Sequence, residues 1–401
     1  MLSAALITAV VTIPLSNNLN SIATIVFVAA CLVQEPWSVM KELLARNKFW
    51  LIPVIFFLWY CCTWFWDVSG GFTNKEIERY TILLFLPAAC AVTPRISNSL
   101  LRQACFAFIA VTVLLCLIAL AKSYSEYNQA GDYRVFFYQY LGEQVGLNAI
   151  FLSNFCLASI TWILYYGYVQ RRNRKTIDHV TSIALAGFLM LMLFLLSSKI
   201  VLFLTFIIIV VFVLALGYLR GYFLRSLLVV GLILAAGAVA VTNLHYLSWR
   251  IKSTEFKKYS GPEDDNNGIA IRLFMWETSY DLIRERPFTG YGIKGARETL
   301  LSEYERKNFT LGVQGYYHSH NQYIESTLMA GIPALLILLW MIGAAFRRAI
   351  TTGNFLLLLM LSHFVIQSMF EATFEVQHEL VFYLFFIFLF YYHAPVTRSD
   401  K

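Results

Sequence analysis

Long unbroken blocks of apolar residues constrain this chain most. The clearest pair is LMLMLFLLSS and IVLFLTFIIIVV, separated by one lysine. Hydrocarbon offers no water to satisfy backbone N–H and C=O groups, so such blocks cross a bilayer as helices of about 20 residues. An outer-membrane barrel would show alternating residues instead. Composition agrees: 59% of residues are hydrophobic and 14% are charged. A soluble domain has about 45–50% apolar and roughly 25% charged residues. A soluble enzyme, a disordered chain and a disulfide scaffold are excluded together. The expected fold is all-α, a polytopic membrane protein with about 12 transmembrane helices and one large helical extracytoplasmic loop.

Nine spans are clear, at 49–66, 104–122, 148–169, 180–198, 200–219, 222–243, 323–346, 354–370 and 377–394. Three shorter ones, 2–16, 21–35 and 80–93, bring the expected count to twelve. The stretch MLSAALITAVVTIPL lacks a basic region and a small-residue cleavage site, so it reads as the first span rather than a signal peptide. Charge sets the orientation. If RRNRK at 171–175 is cytoplasmic, alternation puts 15 Lys/Arg in the short inner loops and tail and five in the short outer ones. This asymmetry predicts both termini inside and an even number of spans. The chain then divides into helices 1–9 over 1–243, an external loop at 244–321, helices 10–12 over 322–394 and a cytoplasmic tail at 395–401. A reporter fused at Asn266 should read as external; a cytoplasmic signal there would overturn the map.

The net charge of +7 follows from this orientation bias, and no basic run with interleaved aromatics suggests nucleic acid. All seven cysteines lie in apolar stretches, where small buried thiols are the expected reading, with no disulfide framework or zinc spacing. No internal repeat marks a transporter and no filter-like motif marks a channel. Polar residues concentrate in the 244–321 loop, which points to chemistry at the outer face of the membrane.

Within that loop, 252–268 is polar and turn-rich. Apolar residues at Ile269, Leu273, Trp276, Tyr280 and Ile283 predict an amphipathic helix over 269–286. Pro287 ends it, Gly290-Tyr-Gly292 makes a tight turn, and 295–309 reads as a second helix. His318, Ser319, His320 and Asn321 stand at the mouth of the next span. Arg272 reads either as a bidentate phosphate ligand or as an arginine snorkelling at the interface. Arg284, Arg286, Arg297, Arg306 and Lys307 read as solvated, and the loop holds ten acidic against eleven basic residues, so it is no general anion trap.

Lys199 sits on a loop too short to solvate it freely; it faces either a polar cavity or the outer interface. His318 and His320 have metal-ligand spacing, but no third ligand is near in sequence, so no metal is expected. One imidazole there is suited to be a general base, or else it is held in an interfacial hydrogen bond. Glu325 lies just inside the span, and such a carboxylate needs a partner, with His320 or Lys199 as candidates. Glu371 and Glu375, on the last outer loop, are weaker candidates. No G-x-S-x-G or P-loop is present.

Three segments together resemble the O-antigen ligase and polymerase superfamily of bacterial envelope glycosyltransferases, ligases most of all. They are RLFMWETSYDLIRERPFTGYGI, HSHNQYIESTLMAGIPALLILL and SSKIVLFLT. The motifs cover about 196–206 and 269–340, while the span layout fits throughout. The resemblance implies that His320 activates the acceptor hydroxyl and that Arg272 contacts a lipid-linked diphosphate. Lys199 stands where the family usually has a span-start arginine, and His318 where ligases sometimes have histidine. Asn321 and Glu325 join these as candidate substrate-binding residues.

The resemblance implies an inverting, metal-independent enzyme without cofactors, in the bacterial inner membrane with its active site at the periplasmic face. Its donor would be a glycan on undecaprenyl diphosphate and its acceptor lipid A-core. A repeat-unit polymerase and a protein O-glycosyltransferase are alternatives, and Arg284 with Gly295 resembles a polymerase loop pattern. Outside the family, the rival is a flippase or exporter of lipid-linked glycan. It would have no need of His-Asn at a loop–span junction.

Overall fold

The computed structural model describes all residues except 94–95, 170–175, 220, 244–256, 258, 265–266 and 394–401. Among the described residues every regular element is a helix, and there is no strand. Among the described residues four helices are long and apolar enough to cross a membrane: Lys48–Phe65, Asn98–Ala130, Ala149–Gly167 and Gln322–Thr352. The pair Asn17–Leu32 and Trp37–Arg46 also qualifies as one span, bent by 104°. Further apolar helices are shorter, among them Leu2–Thr12 and Phe355–Ser368. The chain is therefore a helical protein with several apolar helices. The basic loop at 171–175 and residues 252–256, 258 and 265–266 of the 252–268 segment, both used in the sequence reading, lie outside the described residues.

Two compact units emerge. One comprises Phe108–Glu255. In it Phe108 meets Phe155 and Trp162 edge-on at 5.5 and 5.2 Å, and the Cys116 and Cys156 thiols touch at 3.7 Å. Among the described residues no cysteine is paired in a disulfide. Lys199 is the first residue of the Lys199–Leu219 helix, two residues after Ser197, whose φ is +48°.

The other unit comprises Met1–Ala107 and Phe256–Lys401, and carries the remaining candidate residues. The first loop helix runs Gly268–Glu285, capped by the Asn267 side chain, which accepts from the Ile269 and Ala270 amides. Its extent matches expectation, but its buried face does not. Ala270, Ile271, Met275, Thr278, Ser279 and Leu282 are buried, whereas Leu273 and Tyr280 are exposed. Small side chains at 270 and 279 permit close packing, while Ile269, Trp276 and Ile283 of the expected stripe are half-buried.

Proline placement explains how this helix is anchored. The Gln322–Thr352 helix breaks at Ala330 and Gly331, the latter at φ 72° and ψ −178°. Pro333 has no N–H, so the Met329 carbonyl has no donor four residues on. The Pro287–Gly292 turn supplies one. Gly292 N–H donates to Met329 O at 2.9 Å, Tyr291 N–H to Leu328 O at 2.9 Å, and Ile332 N–H to Pro287 O at 2.8 Å. A Cβ on Gly290 would stand 2.6 Å from Leu328 O, so only glycine fits. The Gly-x-Gly turn and the broken helix thus complete each other's hydrogen bonding.

The second loop helix, Ile293–Arg306, begins on Asp67, whose carboxylate accepts from Lys294 N–H at 3.1 Å and Gly295 N–H at 3.0 Å. A negative group at a helix N-terminus is favoured by the dipole and by the free amides. A Cβ on Gly295 would meet Val68 Cγ2 at 2.6 Å. Packing alone therefore accounts for this glycine.

Candidate functional site

Asn321 caps the Gln322–Thr352 helix: its Oδ1 accepts from Tyr323 N–H at 3.0 Å and Ile324 N–H at 3.1 Å. Its Nδ2 donates to Met369 O at 3.0 Å, tying this helix start to the segment between Ser368 and Gln377. Both ends of the side chain are thus engaged in holding backbone. The preceding Tyr317–His320 stretch folds back tightly, and His320 has φ +48°, a conformation uncommon for a side chain of its size.

That turn aims His320 at a carboxylate. His320 Nδ1 lies 2.8 Å from Glu371 Oε2, and Arg272 Nη2 lies 2.9 Å from the other oxygen, Oε1. Arg272 is fixed further by Gly268 O at 3.2 Å and Phe370 O at 3.3 Å. The expected phosphate-binding arginine therefore orients Glu371, and it does not extend as an interfacial snorkel. With Nδ1–H donated to Glu371, His320 Nε2 keeps its lone pair. The resulting chain Arg272–Glu371–His320 is the arrangement that orients a general base.

His318 is held too. Its Nδ1 accepts the His320 amide N–H at 3.0 Å, and the two imidazole centroids are 4.2 Å apart. The backbone amide of its neighbour fixes the ring. Glu325 does not pair with His320. Its Oε2 accepts from Ser319 N–H at 2.9 Å and Ser319 Oγ at 2.6 Å, which pins the turn between the two histidines. Lys199 belongs to the other unit.

A second carboxylate centre lies beside the first. Glu375 Oε2 is 3.2 Å from Arg297 Nη2 and 3.5 Å from Arg79 Nη1, and its Oε1 accepts from the Tyr80 hydroxyl. Arg297 Nη1 donates to Tyr316 O at 2.7 Å, so this centre holds the other end of the histidine segment. Arg297 was expected to be solvated; in the fold it is an ion-pair member with 27% of its side chain exposed. Lys307 likewise pairs with Asp281 at 3.1 Å and reaches Thr278 at 3.2 Å. Glu325 Oε1, Arg297 Nε and Tyr304 OH are buried without hydrogen-bond partners, leaving polar capacity beneath the site.

The missing third ligand near the histidines is also corrected. Ligand atoms of His318, His320 and Glu371 lie within 4.8 Å of one another, a grouping compatible with a metal ion. The Arg272 guanidinium already neutralises Glu371 and would repel a cation beside it, and His318 Nδ1 is already engaged by the His320 amide.

Burial, reinforced by His320 and Arg297, pushes the His318 imidazole well below the ordinary histidine range. Burial raises the Glu371 carboxyl, but His320 and Arg272 outweigh it and hold it below the usual range. Both groups therefore resist protonation in the fold. Their contributions to stability are full at neutral pH, and His318's begins to be lost as pH falls below about 6.5, with Glu371's following below about 4.3. The melting temperature should fall between about pH 6.5 and pH 5, and His318→Asn should flatten that decline. An unchanged slope would show that His318 does not govern it.

Residues 183–339 match the family model described as O-antigen ligase. No curated protein matches the chain. The match takes in Lys199, Arg272, His318, His320, Asn321 and Glu325, and ends before Glu371 and Glu375.

Proposed function

From the support that this match gives to the O-antigen ligase superfamily of ligase- and polymerase-type membrane glycosyltransferases, we propose that the protein is a ligase. It moves a glycan from undecaprenyl diphosphate to a hydroxyl of lipid A-core at the periplasmic face of the inner membrane. The observation that carries this reading is His320 held by Glu371, which is itself held by Arg272. His320 Nε2 takes the proton of the acceptor hydroxyl as its oxygen attacks the anomeric carbon. The bond from that carbon to the diphosphate oxygen breaks, and in-line attack inverts the configuration. Diphosphate leaves with the electron pair, so cations near it lower the barrier.

Lys199 supports the donor side of this reading. A cation on the first residue of a helix opposes the helix dipole, whereas the same amides and the ammonium together suit an anion. The side chain is a point charge without arginine's fork. Lys199→Arg should keep transfer, while Lys199→Ala should lower it by roughly 10–100-fold, the worth of a charge-assisted hydrogen bond. Equal loss in both would exclude a simple cationic role.

Purified protein with undecaprenyl diphosphate-linked glycan and lipid A-core tests the reaction. Glycan should appear on the core, and a chelator should leave the rate unchanged. Lengthened glycan still on its carrier would mark a polymerase, and binding without product a flippase. Gly295, the residue that resembled a polymerase pattern, is explained by its contact with Val68 and lends that alternative no weight.

A further inference from the structure

A cavity of about 990 Å³ lies in the unit Met1–Ala107/Phe256–Lys401, lined by the Asn17–Leu32 and Ile82–Val92 helices and by Glu375, Gln377 and Val381. Its lining changes character along these helices. Val28, Ala29, Leu32, Phe85 and Leu86 make an apolar wall. The first half of the Asn17–Leu32 helix contributes Asn18, Ser21 and Thr24, interleaved with Ile22 and Ile25, and the segment before the second helix contributes Lys75, Glu78 and Arg79. Thr24 Oγ1 is buried and has no hydrogen-bond partner, so the polar stretch has unused capacity. Glu375 belongs both to this lining and to the Arg297–Tyr316 support of the histidine segment.

An apolar trough with a polar mouth suits an amphiphile, and the charges at the mouth say which kind. Lys75 and Arg79 are accompanied by Glu78 and Glu375, and Glu375 already satisfies Arg79 and Arg297. A bare diphosphate would meet two carboxylates there. A sugar head meets a complementary surface, because its hydroxyls donate to carboxylates and accept from cations and amides. We propose that this groove holds the acceptor of the transfer reaction, a glycolipid. Its hydrocarbon chain lies along the Asn17–Leu32 and Ile82–Val92 helices, and its hydroxylated head lies against Lys75, Arg79 and Glu375. The acceptor role rests on the glycosyl-transfer reading above; glycolipid binding is measured separately from it.

The test is binding by native mass spectrometry of the full chain. Probes are a dihexosyl diacylglycerol, undecaprenyl phosphate and phosphatidylglycerol. Ala29→Trp fills the apolar wall at an exposed position that tolerates bulk, and Thr24→Val removes the unpartnered hydroxyl at nearly constant shape. Ala29→Trp should weaken dihexosyl diacylglycerol binding by at least about 10-fold and Thr24→Val by about 3–10-fold, with undecaprenyl phosphate unaffected. Loss of undecaprenyl phosphate binding instead would assign the groove to the donor and overturn the proposal. So would phosphatidylglycerol binding as strongly as the glycolipid, which would mark a bulk-lipid groove. Transfer is scored on the same preparations. Product formed normally by both variants sinks the groove and leaves the function standing; no product from the wild type sinks the function and, with it, the acceptor role.

Discussion

His320→Ala should lower the transfer rate by about 10²–10⁴-fold while expression and melting temperature stay near wild type, the loss expected for a general base. The side chain is partly exposed and hydrogen-bonds Glu371, so its removal leaves Arg272 to satisfy the carboxylate. The ring opposite Glu371 presents Nε2, and that nitrogen is the one lost to chemistry. His318→Ala should be milder, because its ring supports the His320 amide rather than an acceptor. Its effect should fall mainly on stability, where a buried amide loses its acceptor, at about 1–3 kcal/mol. Comparable rates for His320→Ala and wild type, in a purified assay with the lipid-linked donor, would remove the base from the mechanism.

Local features of the chain were readable because their causes are local. The helix expected over 269–286 with Pro287 behind it runs Gly268–Glu285, and the span expected from 323 begins at Gln322. The face of the first loop helix was not readable. Periodicity locates an apolar stripe, but what covers a helix is decided by elements far along the chain, here the broken span and the turn that braces it. The histidine's partner failed for the same reason. Glu371 is 51 residues from His320, and FEATFE between two apolar spans looks like a solvated outer loop. Glu371 and Glu375 are four residues apart, and the structure sets each against a different arginine on the loop helices, Arg272 and Arg297. Two acidic residues spaced that way, opposite a loop with spare arginines, were the one available signal. Proximity to His320 made Glu325 the more obvious candidate, yet its Oε2 is turned to Ser319.

Glu371→Gln should cut kcat by about 10²-fold or more with little change in KM for either substrate. The amide keeps the volume of the carboxylate but not its charge. It can present its NH₂ to His320 Nδ1 and so favour the tautomer whose Nε2 carries the proton, the form that cannot act as a base. Arg272 meanwhile loses its counter-ion in a partly buried position, where breaking a pair costs up to about 3–5 kcal/mol, so the melting temperature should also fall. Stability loss alone does not separate positioning from packing, and the conservative variant does. Glu371→Asp keeps the charge on a shorter arm, and should recover much of the stability and part of kcat. Arg272→Lys tests the next link: an ammonium cannot reproduce the guanidinium's contacts with Glu371, Gly268 and Phe370 together, so kcat should fall while the histidine remains intact. If Glu371→Gln loses stability but retains wild-type kcat at a temperature where it is folded, the carboxylate is a brace for Arg272 and has no part in orienting His320.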